Sequence, residues 1–419
     1  MIKYKSTERV RIMKLPSYVR KALEKLESKG YEAYVVGGAV RDSLLNKKPN
    51  DYDVSTNALP EEVKEVFAGY PVFDTGIKHG TVSVIIGRDK RKPLEITTYR
   101  CEADYEDFRH PKTVMFVRDL ETDLKRRDFT INALAYNKEI IDKVGGIDDL
   151  KTGIIRAIGN PTERFTEDPL RILRALRFAA ELGFEIESGT AAAARAHAGL
   201  IAKVSAERIN AEFSKLLSFP GAATVIREFF PIIRVFIPEY EGVDPEPALL
   251  ALDNLEAFPL RLAAFFIPIA PKADAVLRRL KYSLAQIRKT TFLVEHFTMP
   301  IRAREEELVA LLLKHDCADL LDLLTLQAAF DPSTDDPKMR EELKRLWESR
   351  CFRLRDLKIG GRDLLALGFP EGMRVRQTLE RLLGEVARGI LPNHREELVR
   401  RAGEIKKEDE DGLSTKTSI

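Results

Sequence analysis

The stretch from Tyr34 to Thr56, YVVGGAVRDSLLNKKPNDYDVST, constrains this chain more than any other. An apolar run ends in two glycines, a short helical pattern follows, and a polar loop leads into a segment carrying Asp51 and Asp53. The pattern predicts strand, tight turn, helix, loop and a second strand that bears both aspartates. Side chains alternate faces along a strand, so Asp51 and Asp53 project together while Tyr52 and Val54 point the other way. Two neighbouring carboxylates repel and raise each other's pKa unless a cation lies between them. Mg²⁺ takes one or two carboxylates plus phosphate oxygens and water, which suits the pair. Gly37 and Gly38 lack Cβ atoms, so backbone N–H groups at the start of the next helix can approach a triphosphate closely. Arg41, on that helix's first turn, can neutralise a phosphate. Singly, an Asp-x-Asp strand end and a Gly-Gly turn are ordinary; joined at this spacing they favour chemistry.

With 419 residues the chain is too long for one ordinary core, and two to four domains are expected. Its 44% hydrophobic and 32% charged content is that of a soluble globular protein. No apolar run reaches membrane-spanning length, and the N-terminus lacks a signal-peptide core. Cys101, Cys317 and Cys351 are scattered, which implies neither a disulfide framework nor a zinc site and fits a cytoplasmic protein. The formal net charge of +2 leaves any RNA affinity to local patches of Lys and Arg.

In chain order, Pro16 to Gly30 reads as a helix, Glu32–Val36 as the first strand, and Pro60 opens another helix. Thr81–Ile86 and Leu94–Tyr99 alternate as strands joined by a turn at Gly87–Lys92. Glu95 lies on this last strand, either as a third carboxylate beside the aspartate pair or as a solvated strand-face residue. Arg100 to Asp119 mixes acids, bases and aromatics without period, which reads as a mobile lid. Thr122–Asn137 looks like a helix start, an Arg-Arg-Asp break and a second apolar helix. Within it Arg127 can bind phosphate and Asp128 ribose hydroxyls, with Asn132 assisting. Beyond residue 150 strand signals fade and helical spacing takes over.

The second informative motif is EDPLRILRALRF, Glu167–Phe178. Pro169 suits a first helical position, leaving Asp168 near the N-cap. Arg171, Arg174 and Arg177 recur every three residues and form a slowly drifting stripe beside the Leu170, Leu173 and Leu176 stripe. They form either a solvated face or three cations beside a triphosphate site. Asp168 and Arg171 also suit a base edge. Cytosine and adenine both display an amino donor beside an unprotonated ring nitrogen, whereas uracil and guanine display an oxo acceptor beside a protonated one. A carboxylate with a guanidinium fits C and A, and against U or G both contacts clash. Ala206–Leu217 reads as an amphipathic helix, with Glu207, Arg208 and Glu212, that buttresses the arginine helix. Arg278, Arg279, Lys281, Arg288 and Lys289 form a basic cluster, read as solvated charges or as a surface for RNA phosphates. His315–Asp316 lacks the context of a metal-hydrolase site.

Gly-Gly, a short helix and Asp-x-Asp together resemble the nucleotidyltransferase superfamily built around DNA polymerase β. Gly37–Asp42, Asp51-Tyr52-Asp53, Arg126–Asn132, Glu167–Arg171 and Glu207–Glu212 together resemble the class II CCA-adding enzymes and bacterial poly(A) polymerases. The resemblance implies an α+β fold: an N-terminal nucleotidyltransferase head with a small mixed sheet, followed by an all-helical neck, body and tail. The expected boundaries are 1–150 for the head, 151–219 for the neck, 220–300 for the body and 301–419 for a tRNA-binding tail whose end, from Lys406, frays. The resemblance further implies that Asp51 and Asp53 hold Mg²⁺ and that Gly38 and Arg41 contact nucleotide. Arg127, Asp168, Arg171, Arg174 and Arg177 are then expected to line the nucleotide pocket. The implied reaction adds C, C and A from CTP and ATP to a tRNA 3′ end without a template. An A-only enzyme, a poly(A) polymerase and a catalytically silent RNA-binding protein stay open at this point, as does the oligomeric state.

Overall fold

On α1 (Ser17–Glu27) Val19, Ala22, Leu23 and Leu26 recur at helical spacing and are buried, so one face of the helix is committed to a core. The computed structural model describes residues 13–86, 93–105 and 111–414. The turn expected at Gly87–Lys92 therefore lies outside the described residues. The chain divides into two compact units, one of Met1–Leu249 with Ala275–Tyr282, the other of Leu250–Asp274 with Ser283–Ile419.

In the first unit a seven-stranded sheet takes its strands from β1 (Ala33–Val36), β2 (Asp53–Thr56), β3 (Val72–Gly76), β4 (Thr81–Val84) and β5 (Leu94–Thr98). β8 (Leu134–Asn137) and β9 (Glu139–Asp142) complete it, in the order β3-β4-β5-β2-β1-β8-β9. β2 and β5 are parallel, whereas β1 runs antiparallel to both β2 and β8, so the sheet is mixed as expected. Between these strands lie α2 (Gly38–Leu44), α3 (Pro60–Val66) and α4 (Leu120–Lys125). Helices α5 (Gly146–Thr152), α6 (Pro161–Glu167), α7 (Leu170–Leu182), α8 (Ser188–Ala196) and α9 (Ala206–Ser218) follow. Beyond residue 150 only two-residue strands interrupt the helices among the described residues.

Register decides where the site forms. Val36 pairs with Asp53, and Asp53 pairs with Glu95 on β5. The end of β1, the start of β2 and Glu95 therefore form one row across the sheet, with Gly37 following directly.

Four expectations change. β2 begins at Asp53, so Asp51 and Tyr52 precede the strand rather than belonging to it. The second apolar helix is instead a 3₁₀ turn at Thr130–Asn132 followed by β8. Ile131, Ala133, Leu134 and Ala135 are all buried, and a continuously apolar run has no period with which to separate helix from strand. The irregular stretch after Arg100 is a hairpin of β6 (Arg100–Tyr105) and β7 (Pro111–Phe116), its residues 106–110 lying outside the described set. It forms a sheet separate from the main one, with Met115 and Phe116 exposed. Finally, the last helix runs past Lys406, from Arg395 to Ser414, and the rest of the segment expected to fray, residues 415–419, lies outside the described residues. Arg401 ties it to Glu385 of the preceding helix and to Glu404 and Glu408 of its own.

The second unit is helical, with a core that includes Leu364, Leu382, Leu398 and Ala402. No helix among the described residues is long and apolar enough to cross a membrane.

Candidate active site

Asp53 sits at the mouth of β2 with Glu95 beside it in register and Asp51 two residues upstream. Its carboxyl is pushed up to about 6, first by partial desolvation, then by Asp51 and Glu95, with Arg127 opposing them. Asp53 is nonetheless exposed by accessible surface, so solvent screens part of this push. Tyr52 turns the other way, its ring edge-on to Tyr18 of α1 at 6.4 Å, which keeps both aspartates on the open side. Converging hard oxygens of like charge fit a divalent cation. Among the described residues no three His, Cys, Asp or Glu side chains gather to hold an ion alone. A two-carboxylate site takes its remaining ligands from substrate and water.

Gly37 turns the chain between β1 and α2 with φ 73°, a conformation glycine adopts without strain. A Cβ there would stand 3.3 Å from Nη1 of Arg127. Arg127 thus lies against the Gly-Gly turn while its Nη2 donates to Ser55 Oγ (3.2 Å) and Asp123 Oδ2 (3.1 Å). Its Nε is buried without a hydrogen-bond partner. Asp123, which sequence reasoning missed, is wholly buried and also accepts from Arg126 Nε (2.8 Å) and the Arg100 backbone N–H (3.3 Å). Burial alone would raise its pKa; the guanidiniums of Arg127 and Arg126 outweigh that and hold the carboxyl below the usual range. The available signal was the Asp-x-x-Arg-Arg spacing, which brings residues three and four apart together on a helix.

The remaining predicted residues fall into a closed polar ring. Arg41 Nη1 donates to Asn132 Oδ1 (2.9 Å), and Asn132 Nδ2 donates to Asp128 Oδ1 (3.3 Å). Asp128 Oδ2 accepts from Arg174 Nε (2.8 Å) and Nη2 (2.5 Å). Arg174 Nη1 approaches Glu212 (3.8 Å), Arg177 Nε donates to Glu212 (2.6 Å), and Arg177 Nη1 donates to Glu181 (2.7 Å). Glu181 closes the ring at 3.5 Å from Arg41. Burial would raise the Asp128 pKa, but Arg174 outweighs it and the carboxyl is held low. Arg41 also pairs with Asp42 at 2.7 Å, so the three guanidiniums of the ring meet four carboxylates. Arg41 and Arg177 are buried, and the Arg174 side chain is 33% exposed. Neither Glu181 nor Phe178, whose ring lies within this circuit, had a signal stronger than its place on α7.

The side chains of Asp168 and Arg171 take different partners, while the Arg171 backbone N–H donates to the Asp168 carbonyl (3.0 Å). Asp168, which closes α6 one residue before the Pro169 N-cap of α7, accepts from the Leu170 N–H (3.1 Å) and from Arg208 (2.8 Å), and Arg177 donates to Glu212, so α9 does brace the arginine helix. Arg171 donates to Glu167 (2.7 Å) and to the carbonyls of Arg164 (3.2 Å) and Arg126 (3.3 Å). That last contact links it to the neighbour of Arg127, and so to the Asp53 strand. Of the basic cluster, Arg279 pairs with Glu239, and Lys289 with Asp319 and Asp322. His315 packs on His296 and Phe292, and Asp316 caps the helix that starts at Cys317.

A family model described as "Poly A polymerase head domain" matches residues 33–156, and one described as "tRNA nucleotidyltransferase domain 2" matches residues 262–402. The CCA-adding enzyme of Leuconostoc mesenteroides is 53% identical over 197 residues, 46% of this chain and 48% of that protein, so this match spans about half its length. The CCA-adding enzyme of Streptococcus thermophilus is 37% identical over 398 residues, 92% of this chain and 96% of that protein. The crystal structure of the Bacillus stearothermophilus CCA-adding enzyme in complex with CTP is similar with a TM-score of 0.78 and 32% identity, covering 94% of this chain and 98% of that one. The chain belongs to the class II CCA-adding enzyme and poly(A) polymerase family of nucleotidyltransferases.

Proposed function

We propose that this protein adds C, C and A to the 3′ end of tRNA from CTP and ATP, releasing pyrophosphate, in the cytoplasm. The observation that carries the reading is the row formed by Val36, Asp53 and Glu95, with Gly37 directly after it, Arg127 against that glycine and the arginines of α7 one contact further on. Asp51 and Asp53 would hold Mg²⁺, which when bound lowers the pKa of the tRNA 3′-hydroxyl and neutralises the triphosphate. Glu95 raises the negative potential at the same spot. Gly37 and Gly38 let the chain approach the phosphates without a Cβ in the way. Arg127 would donate to a phosphate oxygen, and its unpartnered Nε supports this.

Asp168 and Arg171 would read the base edge. Their separate anchors, Arg208 and Glu167, hold the two groups at fixed places around the start of α7. Asp128, Asn132 and Arg41 support Arg174 from the sheet side, and Arg177 supports it through Glu212. Because phosphoryl transfer needs little covalent help, positioning and charge would supply most of the acceleration. The four-part division at residues 150, 219 and 300, with tRNA held by the tail, is our working assignment of these roles along the chain.

The test is product length. Purified protein is incubated with tRNA lacking its last three nucleotides and with tRNA ending in CC, each nucleotide supplied alone and together. Full CCA addition gives two added residues with CTP alone and three with both. Addition only of A to the CC end, or a growing A-tail on any RNA, would overturn the reading in favour of an A-only enzyme or a poly(A) polymerase. No addition at all would favour the silent RNA-binding protein.

A further inference from the structure

We propose that Phe178 is a positioning residue for nucleotide selection, one aromatic ring that seats three guanidiniums and so fixes the direction of Arg174. The guanidinium carbons of Arg41, Arg174 and Arg177 lie 5.1, 5.3 and 3.8 Å from its ring centroid. Each is within the range where a cation is drawn to the negative face of an aromatic ring. The ring itself is fixed: it is buried and meets Phe129 edge-to-face at 5.8 Å with an interplanar angle of 80°. Phe129 directly follows Asp128, whose Oδ1 accepts the Phe129 backbone N–H at 2.8 Å. The aromatic pair and the Asp128–Arg174 ion pair are therefore parts of one assembly.

Carboxylates alone do not explain why three arginines converge here. Asp42, Asp128, Glu181 and Glu212 supply the opposing charge, but each sits on a side chain with rotatable bonds. An aromatic face adds a rigid surface against which planar guanidiniums keep one orientation. Arg177 lies nearest the ring, and Arg174 is the one of the three with a donor to offer elsewhere. Asp128 takes its Nε and Nη2, while Nη1 has among the described residues only the 3.8 Å approach to Glu212. Arg174 is also the most exposed of the three. The ring thus leaves one aimed N–H direction, on the most accessible guanidinium, for an acceptor on the substrate. This inference rests on the reading that Arg174 lines the nucleotide pocket.

The experiment replaces Phe178 with 4-fluoro-, 3,5-difluoro- and pentafluorophenylalanine, which keep the ring's shape while drawing down its negative face. Melting temperature, CTP dissociation constant by calorimetry, and kcat and KM for CTP, ATP and UTP are measured on the full chain with tRNA. The expected result is a stepwise weakening of CTP binding, about tenfold by the last member, with a rise in KM larger than the fall in kcat. Discrimination against UTP narrows in the same order, while the melting temperature moves little. A series in which only the melting temperature falls, or nothing changes, overturns the proposal and leaves Phe178 a packing residue. Phe178→Leu serves as a further comparison, and the fluorinated series decides the matter if that variant does not fold. Wild-type protein that binds no CTP would overturn the functional reading and this proposal with it; active wild-type protein with a flat series overturns this proposal alone.

Discussion

Replacing Asp53 by Asn should stabilise the metal-free protein while abolishing transfer. The Asp53 carboxyl is pushed from 3.8 up to about 6, and a change of about two pH units corresponds to ~3 kcal/mol as a ceiling. Asp53 is exposed by accessible surface, so solvent screens the repulsion and ~1 kcal/mol is the realistic figure. A carboxyl whose folded pKa is raised binds its proton more tightly when folded. The penalty is therefore absent below the unfolded pKa, grows as pH rises, and is complete above about 6. At pH 8 with a chelator, Asp53→Asn should exceed wild type by ~1 kcal/mol, and at pH below about 4 the two should coincide. Mg²⁺ should reverse the order at pH 8, because only wild type gains from binding it. The single tryptophan, Trp347, lies in the second unit and would not report the change. Hydrogen exchange of peptides covering residues 33–56 reads the right region. Reduced or unchanged protection in the variant at pH 8 without metal, or an equal response of both proteins to Mg²⁺, would refute the reasoning.

Asp128→Asn removes the buried carboxylate of a half-buried ion pair with Arg174, at a cost of ~1–3 kcal/mol at pH 7. Because the folded pKa of Asp128 is lowered, its contribution is complete above about pH 4 and is lost as pH falls through the lowered value. Wild type and variant should therefore converge in acid denaturation curves. Gly37→Ala forces an alanine to φ 73° with a Cβ 3.3 Å from Arg127, and should cost ~1–2 kcal/mol in urea melts and raise the KM for both nucleotides. Asp168→Ala should relax discrimination against UTP and GTP by ~1–3 kcal/mol, read as the ratio of kcat/KM values; unchanged selection removes the base-edge role.

Much of the site was legible because its residues occur in short, strongly spaced groups. Gly37, Asp53 and Asp128 announce themselves by type, since few structural needs are met by a Gly-Gly turn before a carboxylate-bearing strand. The strand start, two residues later than expected, follows from register: Val36 is the last β1 residue to pair, and its partner is Asp53. β8 was misread as helix because burial on all sides erases periodicity, and the strands of the β6–β7 hairpin were not read because their sequence shows no period. Glu181 and Phe178 stayed hidden for another reason. Asp123 had a local signal in its spacing to Arg126 and Arg127, whereas Glu181 and Phe178 also meet Arg41, 140 residues from Glu181, and no local pattern encodes such a meeting. The ion pairs of Arg171, Arg174 and Arg177 were likewise invisible, since a stripe of arginines looks the same whether solvated or neutralised.

The most direct measurement is a crystal structure with CTP and Mn²⁺ in place of Mg²⁺, read by anomalous scattering. The expected result is a manganese peak between the carboxylates of Asp51 and Asp53, with the cytosine amino group on Asp168 and its ring nitrogen on Arg171. Manganese bound elsewhere, or a cytosine edge turned away from α7, would contradict the proposed site.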